Sequence, residues 1–176
     1  VRRRDLLAAA AGALASGCGY ALQGRGITTD PSIKRIGVPL FKDRSGKLGL
    51  DARVTEAVMV ELLKRGRFTV VTDTTNVDAV VEGEIQSWTV LPVGFSTDTG
   101  SGVAQASRYA ISLTAKVVYR KIGQTEPIWA NDAFSQRDEY DMGDKASTYF
   151  DQENISIERL ATAFAKSLVA AMLEAF

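Results

Sequence analysis

The sequence predicts an α+β two-layer sandwich. Two helices pack on one face of a four- to five-stranded, largely antiparallel sheet, in the order β-α-β-β-β-β-α. Three observations predict it. Residues 108–121, RYAISLTAKVVYRK, alternate apolar and polar side chains, the period of a strand with one buried face. Leu50, Val54, Val58 and Leu62 recur at helical spacing, as do Ile157, Leu160, Phe164, Leu168 and Met172, so each helix has one apolar stripe. Short turns join the strand segments that follow the first helix, which favours antiparallel neighbours.

The elements follow in order. IKRIGVPLF (33–41) is apolar and β-branched and reads as the first strand, with Pro39 at an edge or strand end because it lacks an N–H. KDRSGKLG (42–49) has turn chemistry. The first helix begins at Leu50. Ala57 and Leu63 widen its stripe, Lys64 and Arg65 suit its negative end, and Gly66 suits the left-handed position after it. RFTVVTD (67–73) is the second strand, and AVVEGEIQSWTVLPV (79–93) is a long third one. Val81 and Ile85 share one face of it; Glu82, Glu84 and Gln86 share the other. At Trp88 and Val90 the polar face becomes apolar, which marks either a bulge or loss of core burial, or an apolar contact patch.

GFSTDTGSGVAQAS (94–107) reads as a mobile hairpin tip. Its Gly100-Ser101-Gly102 lacks the lysine and following helix of a phosphate loop. In 108–121, Tyr109, Ile111, Leu113, Ala115, Val117 and Tyr119 face one way; Ser112, Thr114, Lys116 and Arg120 face the other. PIWANDAFSQRDEY (127–140) is a strand of weaker pattern, residues 141–153 read as a surface loop, and the last helix starts near Asn154 or Ser156, either of which can cap it.

Composition restricts the chemistry. Net charge is +0, so no global field points to nucleic acid. There is no histidine, which removes the usual neutral-pH base, the commonest metal ligand and every histidine-activated nucleophile. No enzyme activity, cofactor or metal is expected. Asp138, Glu139, Asp141 and Asp144 do not match an EF-hand loop and read as a solvated cluster. Glu82 and Glu84 are strand neighbours that could divide acid and base roles, but on an open sheet face they read as solvated. Lys116, Arg120 and Lys121, with Arg108 nearby, form a basic stripe. It is either ordinary surface charge or a contact for phosphorylated, anionic ligands.

The N-terminus carries the sharpest local signal. Arg2, Arg3 and Arg4 precede a short apolar run, Leu6 to Leu14, and then the small residues Ala15, Ser16 and Gly17 lead to Cys18, the only cysteine. The run is too short to span a bilayer, which takes about 20 apolar residues. Small residues ending at a cysteine resemble a bacterial lipobox, in which Cys18 is S-diacylated and becomes the first residue of the mature chain. The position three before it is Ala15, where leucine is usual. Two or three acyl chains anchor stably, at about 0.8 kcal/mol per buried CH₂. The expected organisation is a signal peptide (1–17), a lipidated tether (18–32) and a single α/β domain (33–176). Gly19 after the cysteine, in place of aspartate, favours the outer membrane.

CGYALQGRG, PSIKRIGVPLFKDRSG, LDARVTEAVMVELLKRGRFTVV and VDAVVEGEI together resemble the lipopolysaccharide-assembly lipoprotein family, LptE, over nearly all of the mature chain. The resemblance implies a small lipoprotein that plugs and helps assemble the LptD-type barrel of the outer membrane, and assists lipopolysaccharide transport to the outer leaflet. It implies Cys18 as the lipidated residue. Lys116, Arg120, Lys121 and Arg108 are candidate lipopolysaccharide contacts, from charge and position alone. The strand–helix–strand core also resembles lipoproteins of the curli-secretion and penicillin-binding-protein-activator type, which would make the protein a regulator or export component.

Overall fold

The structure is a computed structural model, and it describes residues 30–65, 67–97, 104–141 and 149–174. The elements are β1 (Arg35–Gly37), β2 (Lys42–Asp43), α1 (Leu50–Lys64), β3 (Thr69–Val71), β4 (Ala79–Thr97), β5 (Ala104–Lys121), β6 (Trp129–Asp141) and α2 (Tyr149–Glu174). They form one mixed, six-stranded sheet in the order β3-β1-β4-β5-β6, with β2 paired to β4. Both helices lie on one face, as the two apolar stripes require.

The long strands β4, β5 and β6 pair antiparallel. The other half is parallel: β1 lies between β3 and β4 and runs with both. The short link from β3 to β4 is therefore not a hairpin. It passes over β1, and Asp78 fastens it there, its Oδ2 accepting the backbone N–H groups of Lys34 and Arg35 at 2.8 Å each.

The first predicted strand is split. β1 and β2 lie along the same edge of β4, at Ala79–Val80 and at Glu84–Ile85, with a break around Pro39. Within the break, the Phe41 N–H leaves the sheet and donates to Thr55 Oγ1 at 3.0 Å; that hydroxyl donates to Asp51 O at 2.6 Å. Phe41 is thereby turned into the core. We expect Thr55→Val, which keeps the shape and removes the acceptor, to cost about 1–3 kcal/mol, the penalty of one buried unpaired donor. Thr55→Ser keeps the hydroxyl and should cost less; chemical denaturation of both variants measures the difference.

The core fills the space between sheet and helices. Leu50, Val54, Val58 and Leu62 from α1 and Ile157, Leu160, Phe164, Leu168 and Met172 from α2 are all buried against Ile36, Val81, Ile85 and the inward row of β5. Leu63, expected in the α1 stripe, is instead 50% exposed. α2 starts at Tyr149, earlier than expected, and neither predicted cap acts as one. Ser156 is inside the helix with its hydroxyl on Gln152 O, and Asn154 Oδ1 accepts from Arg53. Gly66 lies outside the described residues. Among those described, no helix is long and apolar enough to cross a membrane.

β4 carries a bulge between Ile85 and Ser87. One extra residue turns the strand over, so Trp88 and Val90 pack against the core instead of facing outward. Of the two readings of that stretch, the bulge is the one realised. β4 and β5 then continue as a ribbon to Thr97 and Ala104, longer than the expected strands; residues 98–103 at its tip lie outside the described residues.

Candidate functional site: the open face of the sheet

The face of the sheet away from the helices is where the sequence placed its candidate ligand contacts. Strand alternation decides which of them share it. Arg108, Lys116 and Arg120 occupy even positions on β5, opposite in sense to the buried odd row, so all three lie on the open face. Lys121, one residue on, points to the other side and closes on the N-terminal segment: its Nζ lies 2.6 Å from Asp30 Oδ2 and 2.7 Å from Ser32 Oγ.

Every one of these cations is paired. Arg108 Nε is 2.7 Å from Asp141 Oδ1, and Lys116 Nζ is 2.7 Å from Asp132 Oδ1. Arg120 reaches Glu82 with two nitrogens, at 3.2 and 3.3 Å. These are cross-strand pairs, set by the register of β5 against β4 and β6. The hydrogen bond from Lys116 to Asp132, with the charge of that carboxylate, raises the lysine's pKa; Asp141 does the same for Arg108. On the other side, the hydrogen bond from Lys121 holds the Asp30 carboxyl well below the usual range. Exposed pairs of this kind contribute about 0–1 kcal/mol each, so a phosphate could displace the carboxylates at small cost.

Behind Lys116 the break in the first strand opens a cleft of about 410 Å³. Pro39 and Leu40 form one wall, Val118 lies on the floor, and Lys42, Glu82, Glu84 and Lys116 form a charged rim. Leu40 is 59% exposed there. Glu84 also pairs with Arg44 at 3.0 Å. The two glutamates therefore act as ion-pair partners. The arrangement suits an amphiphilic group, with apolar contact along Leu40 and Val118 and charge at the rim.

Sequence reading missed Leu40, Lys42 and Asp132. Pro39 was the available signal for the first two, since a proline inside a strand marks where the ladder opens. Asp132 follows from a bulge between Ala115 and Val117 that brings two β6 residues opposite Lys116, and nothing in the local pattern announces it. The acidic cluster is dispersed: Asp138 pairs with Arg159 at 2.5 Å, Glu139 with Arg137 at 3.0 Å and Asp141 with Arg108. Asp144 lies outside the described residues. Among those described, no group of His, Cys, Asp or Glu could hold a metal ion. Cys18 and residues 1–17 also lie outside them.

A model of the lipopolysaccharide-assembly family LptE matches residues 33–172. The chain belongs to the LptE family. The match runs from before β1 to the last turn of α2 and takes in the whole sheet, the cleft and the paired cations. No curated protein matches the sequence. Among solved structures, a hypothetical protein from Chlamydia trachomatis superposes with a TM-score of 0.53 at 11% identity, covering 82% of this chain and 100% of that one. A minor lipoprotein from Acinetobacter baumannii gives 0.47 at 14% identity, over 81% and 92% of the two chains. Rare lipoprotein B from Shewanella oneidensis gives 0.42 at 13% identity, over 81% and 92%. At such identities the first shows a shared fold.

Proposed function

We propose that the protein is an outer-membrane lipoprotein, anchored through Cys18, that plugs and helps assemble an LptD-type barrel and assists the passage of lipopolysaccharide to the outer leaflet. The family match over residues 33–172 carries this reading. The lipobox-like residues before Cys18 support the anchor. The open face supports the plug, because a large barrel has a polar lumen and needs a polar surface on a firmly packed core. The protein works by binding and is not an enzyme. Arg108, Lys116 and Arg120 meet the anionic groups of lipopolysaccharide by exchanging their carboxylate partners for phosphate; Lys121, turned to the other side and held by Asp30, does not share that surface.

Affinity purification from outer membranes tests the reading. A barrel of the LptD type recovered in near-stoichiometric amount is expected; a peptidoglycan synthase or a secretion channel in its place overturns it. Mass spectrometry of the same material should show an acylated Cys18 at the N-terminus. A folded Lys116→Glu/Arg120→Glu variant should bind lipopolysaccharide at least tenfold more weakly, and unchanged binding removes those residues from the site.

A further inference from the structure

Most cations among the described residues are neutralised by a carboxylate within 4 Å. Among the described residues, Lys34, Arg35, Lys42, Arg67 and Lys166 are not. Three of these five, Lys34, Arg35 and Arg67, lie together at one end of the molecule. Backbone hydrogen bonds hold that end together: Thr69 N–H to Lys34 O at 2.8 Å, Asp78 N–H to Arg35 O at 2.9 Å, and Ile122 N–H to Asp78 O at 2.9 Å.

Lys34 and Arg67 line a common cleft of about 520 Å³ beside Asp30 and Pro31. The acids nearby are already engaged. Asp30 holds Lys121, Asp78 accepts two backbone N–H groups, Asp73 accepts from the Thr75 N–H and hydroxyl, and Glu61 faces Lys64 and Arg65. Two large apolar side chains are exposed at the same end, Leu63 at 50% and Ile122 at 46%. This is also the end from which the chain leads back toward Cys18. Asp30 lies twelve residues after that cysteine, a span of about 40 Å when extended.

We propose that this end is a membrane-docking surface. Lys34, Arg35 and Arg67 contact the anionic phosphate headgroups of the leaflet that holds the anchor, and Leu63 and Ile122 enter the interface between them. The inference rests on the reading of Cys18 as the lipidated residue, which puts a membrane within reach. None of the three is locked in an ion pair, so each is available to a headgroup, although the Asp78 carboxylate lies near Lys34 and that of Asp73 near Arg35, and each cation adds to binding near an anionic surface. A short tether makes docking an intramolecular event, so weak contacts suffice. Docking sets the orientation: the β4–β5 ribbon, at the far end of the sheet, points away from that leaflet.

The test uses residues 19–176, which lack the cysteine and all residues before it but keep every core residue, since these lie between Ile33 and Met172. Vesicles of phosphatidylglycerol mixed with phosphatidylcholine serve as the anionic probe, and pure phosphatidylcholine as the neutral one. Co-sedimentation with the anionic vesicles is expected, and it should fall in high salt. The triple variant Lys34→Gln/Arg35→Gln/Arg67→Gln should bind roughly tenfold or more weakly. Lys166→Gln, which removes another unpaired cation, should bind like the parent. Equal binding to both vesicle types, or undiminished binding by a triple variant with an unchanged melting curve, overturns the proposal. So does release by inorganic phosphate at low millimolar concentration with ionic strength held constant, which would mark a free-phosphate pocket. None of these outcomes depends on acylation, so a failure of the Cys18 reading appears separately, in the N-terminal mass.

Discussion

Gly83→Ala should lower stability by about 3 kcal/mol or more, beyond the usual 1–3 kcal/mol of an overpacked core. A Cβ built on Gly83 lies 2.1 Å from the Phe41 ring, where no real contact can form. The ring has nowhere to go. Phe41 is fully buried, and its N–H is tied to Thr55 on α1. An added methyl must push the ring out of the core or part β4 from the α1 side of the sandwich. The partner substitution makes the argument testable. Phe41→Ala alone should cost about 3–5 kcal/mol for the void it leaves. In Phe41→Ala/Gly83→Ala the new methyl has room, so the double variant should be more stable than the sum of the two losses allows. Urea denaturation of the three variants reads this directly. Strict additivity would mean that ring and glycine do not meet.

Phe164→Ala should cost about 3–5 kcal/mol. Phe164 is completely buried on α2, and its ring meets Phe134 of β6 edge-on, with centroids 5.3 Å apart. Phe134 in turn meets Trp129 at 6.0 Å, also edge-on. The row of three rings seats α2 on the edge strand, so the loss should exceed simple area burial by the aromatic-pair contribution, about 0.5–1.5 kcal/mol. Phe164→Leu, which keeps most of the volume, should recover much of the stability. Thermal denaturation followed by tryptophan fluorescence also reports on Trp129. A loss below about 1 kcal/mol for the alanine variant would show that α2 is held elsewhere.

Much of this was legible along the chain. The buried row of β5 was named residue by residue from its alternation, and the α2 stripe from its spacing, because one-faced burial imposes a period on any sequence that satisfies it. Leu63 escaped that logic. Leu62, in the same turn of α1, is fully buried, and Leu63 is rotated about 100° from it, off the 50/54/58/62 stripe and out toward solvent. Thr55 escaped it in the opposite sense, since a hydroxyl is buried there only because the backbone of Phe41 needs an acceptor. The candidate cations were found by residue type, but their partners were not. Asp132 and Asp141 of β6 and Glu82 of β4 come opposite β5 through register and bulges, which depend on how three strands slide past one another.

The sequence by itself determined the layers: which faces are apolar, how many helices cover the sheet, and the small-residue approach to a single cysteine that carries the expectation of lipidation. These are properties of consecutive residues and need only a local period to be read. Only the tertiary structure decided that β1 lies between β3 and β4, that Arg108, Lys116 and Arg120 on the open face are each neutralised by a carboxylate, and that Lys34, Arg35 and Arg67 are left without ion-pair partners at one end. Those facts depend on contacts between residues far apart in the chain. Assembly of the sheet chooses among the possible partners, and no local pattern encodes that choice.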